Sequence, residues 1–97
     1  EDWTEKVIDD KNYILSARHE IDYLNEKYDW ALPEGEYETL GGLLLSIYED
    51  IPKEHEIITL DPFSFRILTT KDAKIELVKV TITGEKPTKK EEKLRGH

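Results

Sequence analysis

The sequence predicts a small α+β domain. Its plan is a mainly antiparallel sheet of about five strands, in the order hairpin, helix, helix, three strands, packed against two helices. Three observations predict it. Leu40, Leu43, Leu44, Ile47, Tyr48 and Ile51 fall at i, i+3, i+4, i+7, i+8 and i+11, a broad stripe of helical period. Phe63-Ser64-Phe65-Arg66-Ile67 alternates apolar and polar with period two, as a half-buried strand does. Residues 4–9 and 13–16 flank Asp10-Lys11-Asn12, whose turn chemistry makes the pair a β-hairpin.

The period changes after that hairpin. Ile21, Leu24 and Tyr28 recur at i, i+3 and i+7, which predicts a short helix starting near His19. Glu20 in its first turn and Lys27 in its last suit the helix dipole. Residues 29–37 form a loop broken by Pro33 and Gly35, with Trp30 and Leu32 pinned to the core. The second helix follows, with Thr39 as N-cap and Pro52 as its stop. Burying four of its aliphatic side chains is worth about 6–12 kcal/mol of gross transfer energy, which makes it the central element.

The remainder reads as strands. Residues 56–60 form one, Asp61-Pro62 turns the chain, and residues 63–67 form the next. A second turn is expected over residues 70–74, then a strand over 75–82. In that strand Ile75 and Leu77 share one parity while Val78, Val80 and Ile82 share the other. Either both faces are covered near residue 77, or a β-bulge re-aims the strand there. The bulge is the expectation.

Composition narrows the function classes. The chain has 97 residues, enough for one modest core, and its hydrophobic and charged fractions are both 37%. Cysteine is absent, which excludes disulfides, thiolate nucleophiles and Cys-based zinc sites. Methionine is absent too, so Glu1 reads as the cut end of a longer chain. No apolar run approaches the ~18–20 residues that span a bilayer. Residues 1–84 carry 9 Lys/Arg against 19 Asp/Glu, a net −10. Residues 85–97 carry 5 against 3, a net +2, and are set apart as a charged tail. An acidic body disfavours nucleic acid and anionic lipid as partners.

Chemistry is sparse. His19, His55 and His97 have no partners at metal-ligand spacing, and His55 reads as an exposed turn residue. Ser16, Ser46 and Ser64 lack a nucleophile-elbow context. Asp9-Asp10 and Glu49-Asp50 could offer oxygens to a divalent cation, but neither resembles an EF-hand loop. No catalytic residue, cofactor or metal is therefore assigned. Gly41-Gly42 at a helix start admits two readings. One is a phosphate cradle on exposed amides. The other, favoured because no Lys or Arg lies within ten residues on either side, is a close-packing position for a strand or the preceding loop. Trp3 and Trp30 are candidate interface residues.

Tyr37-Glu38-Thr39-Leu40-Gly41-Gly42-Leu43-Leu44-Leu45, followed by Ile51-Pro52, resembles the transporter-associated domain of the CorC/HlyC class. The likeness covers residues 5–82. Tyr13-Ile14-Leu15-Ser16-Ala17-Arg18 and Ile21-Asp22-Tyr23-Leu24-Asn25 resemble the family's opening strand and first helix. Phe65-Arg66-Ile67 and Ile75-Glu76-Leu77-Val78-Lys79-Val80 resemble its closing hairpin. Ala17, Glu49 and His55 depart from the family, which usually has glycine at each.

The resemblance implies a non-catalytic module on the cytoplasmic side of a bacterial inner-membrane protein, a hemolysin homologue or magnesium and cobalt efflux protein. It implies modulation of ion transport by packing against CBS and transmembrane domains of the parent, or against a second copy in a homodimer. It also implies a fold similar to part of some FAD-binding domains. The contact elements expected are the first hairpin, the Trp30 loop and the tail. The alternative expectation is a sensor for a divalent cation or an adenine or flavin nucleotide.

Overall fold

The structure, a computed structural model, describes residues 3–84. The charged tail expected over 85–97 lies outside the described residues. Seven elements follow in order: β1 (Glu5–Asp9), β2 (Asn12–Ser16), α1 (Ile21–Tyr28), α2 (Leu40–Tyr48), β3 (Ile57–Leu60), β4 (Phe63–Lys71) and β5 (Lys74–Ile82). All strands join one antiparallel sheet in the order β1-β2-β5-β4-β3. The sheet is open, with β1 and β3 at its edges, and β2 pairs with β5, segments from opposite ends of the fold.

Alternation of side chains across the pleat divides the sheet into two faces. One cross-strand row runs Val7, Tyr13, Val80, Phe65, Ile58, and all but the edge residue Val7 are buried. These residues share a single core with Ile21 and Leu24 of α1 and Leu40, Leu43 and Leu44 of α2. The adjacent row, Lys6, Ile14, Lys79, Arg66, Ile57, points the other way and holds only exposed or half-buried residues. Both helices therefore cover the same face.

The expected bulge is present. Between β4 and β5, Leu68 is an extra residue on β4 and Glu76 an extra residue on β5. The insertion of Glu76 puts Ile75 on the buried side with Val78, Val80 and Ile82, and leaves Leu77 half-buried.

Three boundaries differ from expectation. First, α1 begins at Ile21, with Glu20 at its N-cap in extended conformation, because Ile21 N–H donates to Glu38 O and an isolated bridge joins Glu20 to Thr39. Second, α2 ends at Tyr48, not at Pro52: Glu49 turns left-handed (φ 64°) and its N–H closes on Leu45 O. Ile51 consequently leaves the helical stripe and is 48% exposed, Ile47 is 37% exposed, and Pro52 is buried in their place. Third, the expected turn over 70–74 shrinks to Asp72-Ala73. Both have positive φ (52° and 63°), as a two-residue type I′ hairpin requires, so the strands extend to Lys71 and restart at Lys74.

The loop between the helices is held by a buried amide. Asn25 accepts from Leu32 N–H and donates to Leu32 O, both at 2.9 Å. That pairing seats Trp30 and Leu32 in the core, where Trp30 meets Tyr13, Tyr28 and Phe63 at ring-centroid distances of 4.9, 4.9 and 5.4 Å. The peptide bond between Asp61 and Pro62, which joins β3 to β4, is cis.

Candidate functional site

The motif Tyr37–Leu44 lies where the end of β2 crosses the start of α2. Thr39 caps the helix, its side-chain oxygen accepting from Gly42 N–H at 3.2 Å. Leu40 N–H donates to His19 O and Gly41 N–H to Ala17 O, each at 2.9 Å, and Leu43 N–H donates to Thr39 O at 3.0 Å. Leu43 makes the first bond of the helix ladder, and the N–H groups of Leu40, Gly41 and Gly42, which a helix start leaves orphaned, are engaged by the protein itself. A phosphate arriving here would find these three donors already engaged.

The glycines serve the crossing. A Cβ on Gly41 would stand 3.2 Å from the Ala17 Cβ, and one on Gly42 would stand 3.0 Å from the Tyr37 Cβ. β2 and the interhelical loop thus approach α2 at distances that side chains would obstruct. Leu40, Leu43 and Leu44 are buried, and Ser46 closes back on Leu43 O at 2.6 Å.

Over this crossing lies an open groove of about 480 Å³, lined by Trp3, Ala17, Arg18, Thr39, Gly41, Gly42, Leu45, Lys74 and Ile75. Its walls are mainly apolar, with Arg18 and Lys74 as its two cations. Along the chain no Lys or Arg lies within ten residues of Gly41-Gly42. Folding brings Arg18 from the end of β2 and Lys74 from the start of β5. No local signal in the sequence pairs either with α2.

Trp3 stands at the groove's mouth, 54% exposed. The Arg18 guanidinium lies 4.7 Å from its ring centroid. The stack continues through His19 (5.6 Å from Trp3) to Tyr23 (5.5 Å from His19) and ends with Lys27 Nζ 5.6 Å from the Tyr23 ring. His19 is buried, and its Nε2 lies 3.0 Å from Thr4 O; a carbonyl can only accept, so Nε2 carries the proton. Trp30, the other candidate interface residue, is fully buried and is instead a core residue. The expectation that the loop pins it to the core holds, and the Asn25 clamp that seats it there leaves no surface for an interface role.

Beside this stack, Glu5 of β1 ties the edge strand to α1. Its carboxylate accepts from Tyr23 OH at 2.7 Å and from Tyr28 OH, and pairs with Lys27 at 2.7 Å. Burial would push the Glu5 carboxyl up, but the Lys27, Tyr28 and Tyr23 hydrogen bonds together outweigh it and hold the group at about 2. Burial, followed by the Glu5 hydrogen bond, pushes the Tyr28 hydroxyl up.

The remaining candidates stay apart. Asp9 accepts from Lys11 N–H and the Asn12 amide within the first hairpin turn, contacts that lower its pKa. Asp50 accepts from its neighbour's N–H at 2.7 Å. His55 is exposed in a turn with φ 73°. Among the described residues, no three His, Asp or Glu side chains are grouped as a metal ion would need. Among the same residues, no helix is long and apolar enough to cross a membrane.

Comparison with known proteins agrees with this architecture. Residues 6–84 match the CorC/HlyC family described as "Transporter associated domain". The magnesium and cobalt efflux protein CorC of Buchnera aphidicola (Acyrthosiphon pisum strain) is 29% identical over 81 residues, 84% of this chain and 28% of that protein. The inner membrane protein YfjD of Escherichia coli is 28% identical over 71 residues, 73% of this chain and 17% of its own length. Among solved structures, the CorC_HlyC transporter associated domain from Nitrosomonas europaea superposes with a TM-score of 0.71 at 27% identity, covering 86% of this chain and 100% of that one. The chain spans under a third of the length of these two relatives. The match over residues 6–84, nearly the whole described fold, places the chain in the CorC/HlyC transporter-associated domain family.

Proposed function

We propose that this domain is a non-catalytic accessory module of a bacterial inner-membrane ion efflux protein. It sits on the cytoplasmic side and modulates transport by docking onto the rest of its parent chain. One observation carries the reading. In a protein that is 37% charged, α2 (Leu40–Tyr48) has no charged residue at all, yet Leu45, Ile47 and Tyr48 are each 37% exposed. A helix that is apolar all round is normally covered. Trp3 and the groove beside Leu45 extend the same uncovered surface. The relatives supply the candidate cover, since most of their length lies outside the part that matches this chain. CBS and transmembrane domains of the parent are the partners the family resemblance implies, with a second copy of the domain as the other route to the same burial.

The test is Leu45→Asp in the full-length parent. An exposed site tolerates the change in the isolated domain within about 0.5 kcal/mol. The expected result is unchanged melting of the domain together with loss of its binding to the remaining domains and altered divalent-cation efflux. Wild-type binding and efflux in the variant would sink the proposal. A sensor role makes a different prediction: a divalent cation or an adenine or flavin nucleotide at 100 times its dissociation constant adds about 2.7 kcal/mol of stability. The engaged amides of α2 argue against phosphate as its handle.

A further inference from the structure

We propose that the uncovered face of the sheet is a second docking surface, and that its occupant is an acidic amphipathic helix of a partner protein laid across the strands. The proposal does not depend on the groove at Trp3, which lies at the end of the sheet where β2 meets α2.

The observation is a cross-strand row. Register places Lys6, Ile14, Lys79, Arg66 and Ile57 side by side, one from each strand, from edge to edge of the sheet. Three of the five are cations, in a body whose 84 residues carry a net −10. Lys6 and Arg66 are exposed, Lys79 and Ile14 are half-buried, and Ile57 is 58% exposed. The neighbouring row is uncharged across Asn12, Thr81, Ser64 and Thr59. Asp9, opposite Asn12 at the β1 corner, supplies that row's carboxylate, already held by Lys11 N–H and the Asn12 amide.

Spacing selects the occupant. Neighbouring strands stand about 4.8 Å apart, and a helix rises about 5.4 Å per turn. A helix crossing the strands therefore presents about one side chain per strand. Carboxylates at three- and four-residue spacing meet Lys79 and Arg66, and a third reaches Lys6 two turns away. Apolar residues between them cover Ile14 and Ile57. The contact also completes a layer: a sheet covered by helices on one face gains them on the other.

Other occupants fit less well. A second copy packed symmetrically through this face would set cations against cations, as an isologous contact repeats the same patch. Residues 85–97 are net positive and would be repelled. Anionic lipid would attract the cations but would not read their ordered alternation with isoleucine.

The probe is a synthetic peptide of about 14 residues with glutamate and leucine on one helical face, titrated into the 97-residue chain. Binding should weaken with salt and shift the backbone amides of Lys6, Ile14, Ile57, Arg66 and Lys79. The double variant R66E/K79E should lose at least about tenfold in affinity, while L45D binds as wild type. If the double variant fails to fold, Lys6→Glu at the exposed edge carries the same test with a smaller loss. Equal binding of a peptide with lysine for glutamate, undiminished binding by the charge-reversed variants, or shifts confined to α2 would each overturn the proposal. So would Arg66- and Lys79-dependent binding to phosphatidylglycerol vesicles with none to the peptide.

Discussion

Glu49, His55 and Ala73 all hold left-handed backbone, at φ 64°, 73° and 63°. Each does so without being glycine, and an L side chain there costs roughly 1–2 kcal/mol, part of which glycine repays in unfolded-state entropy. Glu49→Gly, His55→Gly and Ala73→Gly are each expected to raise stability by about 0.5–1 kcal/mol. In a domain this size that is a gain of several degrees in melting temperature, readable by circular dichroism. Gly42 presents the opposite case. Its helical φ would welcome alanine, but the added Cβ would meet the Tyr37 Cβ at 3.0 Å, and a Cβ next to backbone has little room to yield. Gly42→Ala is expected to lower stability by about 1 kcal/mol, and Gly41→Ala, with 3.2 Å to the Ala17 Cβ, by less. The departures at residues 49 and 55 were visible as missing glycines in the family pattern. The reason that glycine belongs there is a backbone angle, which no side-chain pattern encodes.

Among the elements, β1 depends most on a single side chain. Four of its five residues are exposed, and Glu5 fastens it to Lys27, Tyr23 and Tyr28 of α1. The folded carboxyl sits near 2 against an ordinary 4.5, a depressed value. Its stabilising contribution is therefore complete above about pH 4.5 and is lost as pH falls toward 2. Urea melts should show wild type losing its advantage over Glu5→Gln across that window, with the two converging at the acid end. A gap that stays constant from pH 7 to pH 3 would exclude the charged latch. The sequence signalled the hairpin and α1 separately, through turn residues and a 3.6 period. It held no sign of the latch, since Glu5 is one of 22 acidic residues and its partners are 18 to 23 positions away. The end of α2 is hidden in the sequence for a related reason: Ile47, Tyr48 and Ile51 continue the apolar period, but the helix stops where Glu49 turns left-handed.

At the scale of the molecule, the two layers meet on an aromatic cluster centred on Trp30. It is fully buried, and its indole N–H has no hydrogen-bond partner among the described residues. Trp30→Ala should cost about 3–5 kcal/mol, enough to threaten the fold of a small domain. Trp30→Phe should cost distinctly less, because it keeps the ring contacts and removes the unpaired donor. Denaturant midpoints of the two variants separate these outcomes. Among the described residues, the same two-layer plan leaves α2's outer side and one face of the sheet uncovered. These two surfaces are the ones that the two docking proposals use, α2's outer side for the rest of a parent chain and the sheet face for a partner helix.

By itself the sequence determined the α+β class and the order of its elements, favoured the bulge near residue 77 over a strand covered on both faces, and marked the membership of its central motif. The class, the element order and the bulge rest on local periodicity and turn chemistry, which act between residues a few positions apart, and the membership rests on the motif's resemblance to the family. Only the tertiary structure decided the strand order, the Asn25 clamp that seats Trp30, the Glu5 latch and the groove where Arg18 and Lys74 meet Gly41 and Gly42. Those depend on which distant segments pair, and the pairing of β2 with β5 is selected by how the whole chain buries its apolar rows together.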